Sequence, residues 1–424
     1  MQGPLPITSP NVPRTGLILT GGGARAAYQV GVLKAIDRIR RDCHASSANP
    51  FPVIAGTSAG GINAASLACN ADQFEASVQG LVDVWGNFRA EQVYLSDSLG
   101  VVRTGARWLT MMSIGWMLAR FRKLRPKSLL DNSPLRELLN TLVPVHRLPD
   151  LMRAGHLHAL AVTASSYGSG QHVTFYDAVE PIEPWTRSQR LAVPDAITVD
   201  HLLASSAIPF VFPAISLPIH GRNEYFGDGS MRQSAPISPA VHLGAERILV
   251  IGAGRMHEPT VNPEARSGSD EYPNIAQIAG HALSSIFLDA LAVDVERLQR
   301  INNTLSMLPP EVRARSNLKP IEVLVIAPSQ RLDDIATRHL HCLPPAVRGL
   351  LRGVGVSGEG RAARGAALAS YLLFEAPYTQ ELLALGETDT LSRRDEVVKF
   401  FGWERRNRDR GPRTGEEFRT TELE

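Results

Sequence analysis

Apolar positions first gather in the run Gly16-Leu17-Ile18-Leu19-Thr20, which stops at Gly21-Gly22-Gly23. A short continuous apolar run closed by glycines predicts a buried strand entering a tight loop. Beyond the glycines the period changes. Ala26, Val30, Leu33 and Ile36 recur at spacings of three and four, which places them on one face of a helix running towards Arg40. The plan then repeats, with Val53-Ile54-Ala55 as a strand, a sharp turn from Gly56 to Gly60, and an alanine-rich helix through Ile62, Ala65 and Leu67. Strand, glycine turn and helix, twice in succession, predict an α/β fold on a parallel sheet.

Further strands are predicted over 158–164, 173–176, 247–251 and 321–326, with a long helical pattern over 275–298, so the sheet extends past residue 300. Strand signals vanish over 84–149, which reads as a helical insertion covering the active edge of the sheet. Four sections follow: a disordered lead-in over 1–13, a catalytic domain over 14–255 that carries the insertion, a continuation over 256–390 packed upon it, and a charged tail over 391–424. The tail has one apolar patch, Val397-Val398, Phe400-Phe401 and Trp403.

With 44% apolar and 20% charged residues, the 424-residue chain has ample material for a buried core. Lys plus Arg (44) nearly cancels Asp plus Glu (42), which argues against a nucleic-acid partner. The three cysteines, Cys43, Cys69 and Cys342, are far apart and make no metal or redox spacing, so a reduced compartment is expected. The proline-rich start has neither a basic region nor an apolar core of a signal peptide, and no apolar run reaches the ~18 residues of a membrane span. The expected setting is the cytoplasm, with peripheral attachment at the inner membrane surface as an extension of that reading.

Gly56-Thr57-Ser58-Ala59-Gly60 fits G-x-S-x-G, the nucleophile elbow, in which a strained strand-to-helix turn lifts a serine to the carboxyl edge of a sheet. The pentapeptide alone is weak evidence; an apolar strand before it and a small-residue helix after it strengthen the case. Gly21-Gly22-Gly23-Ala24-Arg25 also ends a strand and opens a helix, leaving backbone N–H groups free for an anion. Read as Gly21-x-Gly23-x-x-Ala26 it approaches a dinucleotide fingerprint, but Asp42 does not end a second strand and no Walker lysine follows. Read as an oxyanion hole it complements Ser58, because loop and elbow follow consecutive strands and end side by side.

A serine nucleophile needs a proton acceptor. None of the twelve histidines stands in a setting that singles it out, whereas Phe226-Gly227-Asp228-Gly229-Ser230 holds an acid between two glycines on a tight turn. An aspartate at its ordinary pKa is a poor base for an alcohol, so this choice requires a dry site and a raised pKa.

Together, Gly21 to Arg25, Gly56 to Gly60 and Asp228-Gly229 resemble the patatin-like phospholipase family, as does Leu203-Ala204-Ser205-Ser206-Ala207-Ile208-Pro209 with Phe212-Pro213. The resemblance covers about residues 14–255. It implies a three-layer α/β/α fold and release of fatty acids from phospholipids or other fatty-acyl esters without metal or cofactor. It also implies a dyad of Ser58 as nucleophile and Asp228 as proton acceptor, an oxyanion region at Gly22, Gly23, Ala24 and Arg25, and supporting roles for Gly21, Gly56, Gly60 and Gly229. Ser230 and Ala26 depart from residues common at those positions, and neither is a reacting group. The Arg25 side chain has two readings, a partner for a lipid phosphate or a salt bridge capping the edge.

A lipase reaches its substrate in an aggregate, and Trp108 to Ala119, rich in aromatic and methionine residues and flanked by Arg103, Arg107, Arg120, Arg122, Lys123 and Arg125, suits an anionic membrane surface. Trp108, Trp116, Arg120 and Arg122 are the candidate contacts; a core helix with solvated ends is the competing reading. Two other functions stay open: an esterase with a Ser-His-Asp triad using His257 or His281, and a non-catalytic lipid- or nucleotide-binding regulator.

Overall fold

The computed structural model describes residues 13–95, 128–256, 272–286, 290–316, 318–356 and 365–404. Strand β1 (Thr15–Leu19) is buried along its whole length, and its side chains alternate between two cores: Leu17 and Leu19 face one, Ile18 the other. Burial on both faces explains the unbroken apolar run. Helix α1 (Ala27–Asp42) returns over the first face, β2 (Val53–Thr57) pairs parallel to β1, and α2 (Ala59–Ala68) leaves from Ser58. Helix α3 (Phe74–Gly86) then folds back beside α2, where Trp85 Nε1 donates to Asn63 Oδ1 at 2.8 Å.

The remaining strands are β3 (Ala159–Ser166), β4 (His172–Ala178), β5 (Thr186–Arg187), β6 (Arg190–Pro194), β7 (Ile215–Ile219), β8 (Arg222–Asp228), β9 (Arg247–Ile251) and β10 (Glu322–Ile326). They form one ten-stranded sheet in the order β10-β9-β1-β2-β3-β4-β6-β5, with β8 pairing both β3 and β7. The sheet is mixed and mostly parallel. Antiparallel pairings are confined to the half that contains β3 to β8. Helices cover both faces: α1, α2, α3 and the helix Ala376–Ser392 on one, and Ser238–His242 with Ala290–Met307 on the other. The three-layer α/β/α expectation is met.

The four strands predicted from the later sequence correspond to β3, β4, β9 and β10, and the helical pattern over 275–298 to the helices Ile275–Ser284 and Ala290–Met307. Among the described residues of 84–149 there is no strand, only the end of α3, two short 3-10 turns and the helices Ser133–Leu142 and Leu148–Arg153. The segment expected as a charged tail differs. Arg394–Phe401 is a helix with Val397 and Phe400 buried and Phe401 edge-on to Phe51 at 5.6 Å. Its apolar residues fall on one face at spacings of three and four, enough to dock a short amphipathic helix despite the charges between them. Residues 256–390 share the sheet through β10 and the core through Ala376–Ser392, which crosses α1 so closely that a side chain at Gly386 would meet the Tyr28 carbonyl at 2.2 Å.

Candidate active site

One edge of β3 is shared by two strands. Parallel β2 runs along it until Thr57 lies opposite Thr163, and antiparallel β8 arrives from the other end with Asp228 opposite the next residue, Ala164. The two strands therefore meet end to end, and their last residues place Ser58 and Asp228 together although 170 positions separate them. Strand register alone creates the pair.

Ser58 has φ 56° and ψ −132°, the strained turn expected of an elbow, and α2 starts immediately after it. Gly56 and Gly60 flank the turn, and a side chain at Gly60 would strike the carbonyls of Leu19 and Thr20 at 2.4 Å. The Ser58 N–H donates to Ser205 Oγ at 2.8 Å, and Ser58 Oγ donates to Asp228 Oδ2 at 2.6 Å. The other carboxylate oxygen, Oδ1, accepts from the Ser230 N–H at 2.8 Å. Gly229 presses on β3, where a side chain would lie 2.1 Å from the Thr163 carbonyl.

Ser58 and Asp228 are both buried, at 1% and 0% exposure. Burial pushes the Asp228 carboxyl up to about 6, against the opposing pull of hydrogen bonds from Ser58 and Ser230. This meets the requirement for a dry carboxylate that a histidine-free serine site imposes. The turn after Asp228 is tied back to the elbow: Gln233 Nε2 donates to Thr57 Oγ1 at 2.8 Å, and Thr57 Oγ1 lies 2.7 Å from Thr163 Oγ1.

The glycine loop follows β1 and enters a 3-10 turn, Gly23–Ala26, beside the elbow. Gly23 has φ 54° and lines the same cavity as Ser58 and Ala59. The Arg25 N–H is engaged with the Gly22 carbonyl at 3.1 Å. The Arg25 side chain is 2% exposed and turned into the C-terminal helices: Nε donates to Ser370 Oγ at 2.8 Å, Nη2 lies 3.7 Å from Asp333 Oδ1, and the guanidinium rests 4.0 Å from the centre of the Tyr371 ring. Of the two readings of Arg25, the salt bridge is the one present.

A cavity of about 250 Å³ opens from Ser58. Its wall follows one stripe of α2 (Ile62, Ser66) continued by Asn70 in the turn that follows, the facing stripe of α3 (Leu81, Val84, Trp85) and the helix Ser133–Leu142. The space exceeds the roughly 150 Å³ that holds a benzene ring. Helix α2, of 10 residues, is about 15 Å long, and the cavity is lined along it from Ala59 to Ser66. The wall is largely apolar and includes the rings of Trp85, Phe88, Phe212 and Phe374.

Among the described residues no histidine hydrogen-bonds Ser58 or Asp228. His281 is exposed on its helix, and His257 lies outside the described residues. The buried His172 contacts the Gly229 backbone and is pulled down to about 4 by burial, which keeps it neutral. Trp108, Trp116, Arg120 and Arg122 also lie outside the described residues. Among the described residues no helix is long and apolar enough to cross a membrane, and no group of three or more His, Cys, Asp or Glu side chains could hold a metal.

The sequence profile of the patatin-like phospholipase family matches residues 17–241, more than half of the chain and the stretch that carries loop, elbow and aspartate. The chain belongs to the patatin-like phospholipase family. Among solved structures it is similar to human GIVD cytosolic phospholipase A2, with 10% identity, 94% of this chain and 61% of the human one covered, and a TM-score of 0.44. It is also similar to VipD from Legionella pneumophila, at 13% identity over 88% of this chain and 67% of that one, with a TM-score of 0.31. A third likeness is to the type III effector ExoU of Pseudomonas aeruginosa, at 15% identity over 94% and 90%, with a TM-score of 0.25. The chain spans about three fifths of the human protein's length, and these likenesses concern the fold alone. A search of curated proteins finds no match.

Proposed function

We propose that this patatin-like phospholipase cleaves fatty-acyl esters through a Ser58-Asp228 dyad without a histidine. The observation that carries the reading is the 2.6 Å hydrogen bond from Ser58 Oγ to a fully buried Asp228, set at the head of an apolar groove. The acyl chain lies in the groove between α2 and α3, which brings its carbonyl carbon to Ser58 Oγ. As Oγ attacks, its proton passes to Asp228 Oδ2, and the carbonyl oxygen gathers negative charge. The free N–H groups of Gly23 and Ala24, with Ala59 at the start of α2, point to that oxygen; such donors are each worth roughly 10²- to 10³-fold in rate. Collapse of the tetrahedral species returns the proton to the departing alcohol and leaves an acyl-serine. Water then attacks with Asp228 again as base, releasing fatty acid.

A proton transfer concerted with attack suits a base whose pKa lies near 6, because the carboxylate is ionised at neutral pH yet accepts a proton more readily than an ordinary aspartate. The test is a fluorophosphonate label on the full-length protein. Labelling should vanish in Ser58→Ala, and turnover of a lipid-ester panel should vanish in Asp228→Asn while surviving replacement of each histidine in turn. One indispensable histidine would overturn the dyad in favour of a triad. The lipid panel also identifies the head group and acyl position preferred.

A further inference from the structure

Phe210 combines two properties that conflict with an ordinary structural role. Its backbone lies in the left-handed region, at φ 66°, and its ring is 75% exposed. A bulky residue there is an outlier, since a glycine would adopt the same turn without steric cost. Three of the five other non-glycine residues in that region have plain explanations: Gln189 and His220 sit at the tips of the β5–β6 and β7–β8 hairpins, and Ser58 is the elbow. Phe210 occupies no hairpin tip, and so exposed a ring adds little to the core.

The surroundings hold it in that posture. The Phe210 carbonyl accepts from the Leu129 N–H at 2.8 Å and the Val211 carbonyl from the Leu130 N–H at 2.9 Å, while the N–H groups of Val211 and Phe212 both return to the Ile208 carbonyl. Residues two before and two after, Ile208 and Phe212, point inwards and line the cavity at Ser58. The tight turn thus sends two side chains into the groove and the ring between them out to solvent, directly beside the groove wall. Tyr94, whose ring packs 6.3 Å from Phe212, precedes Leu95, another exposed apolar side chain at 43%.

We propose that Phe210 is an interfacial anchor that inserts into a lipid surface and sets the groove against it. The reasoning rests on the hydrolase reading: an ester held in an aggregate enters the groove only if the groove meets the aggregate, and an outward ring beside its wall is the side chain that can enter the acyl layer. A lipid surface is favoured over a protein partner because the ring borders a cavity built for an apolar chain.

Two measurements on the full-length protein test this. One is co-sedimentation with phosphatidylcholine vesicles, which needs no turnover; the other is hydrolysis of a soluble monomeric ester such as p-nitrophenyl butyrate. Phe210→Gly should lower vesicle partitioning about tenfold, the loss of one partly inserted phenyl ring. Soluble-ester turnover should be unchanged, and the unfolding temperature unchanged or raised because the glycine relieves the backbone. Phe210→Trp should restore or strengthen partitioning. Unaltered partitioning of Phe210→Gly, or no vesicle binding by the wild type, overturns the anchor, as does an equal loss on the soluble ester. A change in elution volume without a change in vesicle binding would assign the ring to a protein contact instead. Failure of the hydrolase reading would appear separately, as a wild type that binds vesicles but turns over neither substrate.

Discussion

At the scale of single residues, Asp228 carries two linked consequences of burial. As a base it works only when ionised, so kcat/KM should rise about tenfold per pH unit below about 6 and level off above it. A pH–rate profile on a soluble ester checks this, and a flat profile from pH 5 to 8 would contradict it. Stability runs the other way. The native carboxyl keeps its proton up to about 6, whereas the unfolded one releases it near its ordinary 3.8, so between those values the native state binds more protons and stability falls as pH rises. Asp228→Asn removes that penalty while its amide still meets Ser58 and Ser230. It should lose activity by roughly 10⁴-fold, as removal of a triad member does, yet gain on the order of 1–3 kcal/mol at pH 7. The gain should disappear below about pH 4, where both states are protonated, and paired denaturation curves at pH 4 and pH 7 would reveal it. Gly229→Ala should behave differently, losing both stability and activity, because its methyl group would displace the base turn from the Thr163 carbonyl. Ser58 and Asp228 were legible in the sequence because each stands in a local motif whose glycines mark close backbone approach. Ser205, which accepts the Ser58 N–H, lay in a stretch recognised by resemblance but without a role, and Gln233 offered no signal. Both act across chain distances that only the folded register closes.

At the scale of elements, the chain beyond β10 packs against the glycine loop and reaches the cavity at Phe374. Arg25 leaves the glycine loop and is gripped by Ser370, Asp333 and the Tyr371 ring, while Phe374 lines the groove, Thr379 Oγ1 donates to the Trp85 carbonyl and Tyr94 Oη to that of Leu372. A buried guanidinium with a planar fork and a stacked ring is poorly replaced by an ammonium group. Arg25→Lys should therefore lower the fluorophosphonate labelling rate at least about tenfold and cost about 1–3 kcal/mol in unfolding free energy, through buried partners left unsatisfied. Wild-type labelling and melting in that variant would refute a loop held by this contact. The periodicity of the early units was a sound guide to β1, α1, β2 and α2, since continuous apolar runs and three-to-four spacing survive burial on both faces. The β5 to β8 region was not legible. β5 is two residues long, and β7 and β8 carry Pro218, Arg222 and Glu224 because much of that hairpin is solvated. The helix Arg394–Phe401 was hidden by its charge, although the buried face that docks it was visible as an apolar patch.

At the scale of the whole molecule, the family-matched stretch 17–241 contains both proposed reacting groups, Ser58 and Asp228, but only part of the core around them. β1 is paired on its far side with β9, and β9 in turn with β10, so a chain ending at residue 255 would present the apolar run Ile248 to Ile251 as an open edge. The same cut uncovers α1, where Tyr28 and Gly31 lie directly against Gly386 and Leu383 of the helix Ala376–Ser392. Tyr371, Leu372, Leu373, Tyr378, Leu382 and Val397 are each at most 4% exposed. At about 1.5–3 kcal/mol per buried side chain, those six represent roughly 9–18 kcal/mol, as large as the whole net stability of about 5–15 kcal/mol expected of a folded protein. A fragment spanning residues 1–255 should therefore be aggregated or molten despite its complete dyad. It should lack a cooperative unfolding transition and label with fluorophosphonate at a small fraction of the full-length rate. If the fragment instead elutes as a monomer, melts cooperatively and labels at the full-length rate, the C-terminal helices are an accessory to an autonomous hydrolase, and the role assigned here to Arg25 and its partners fails with it.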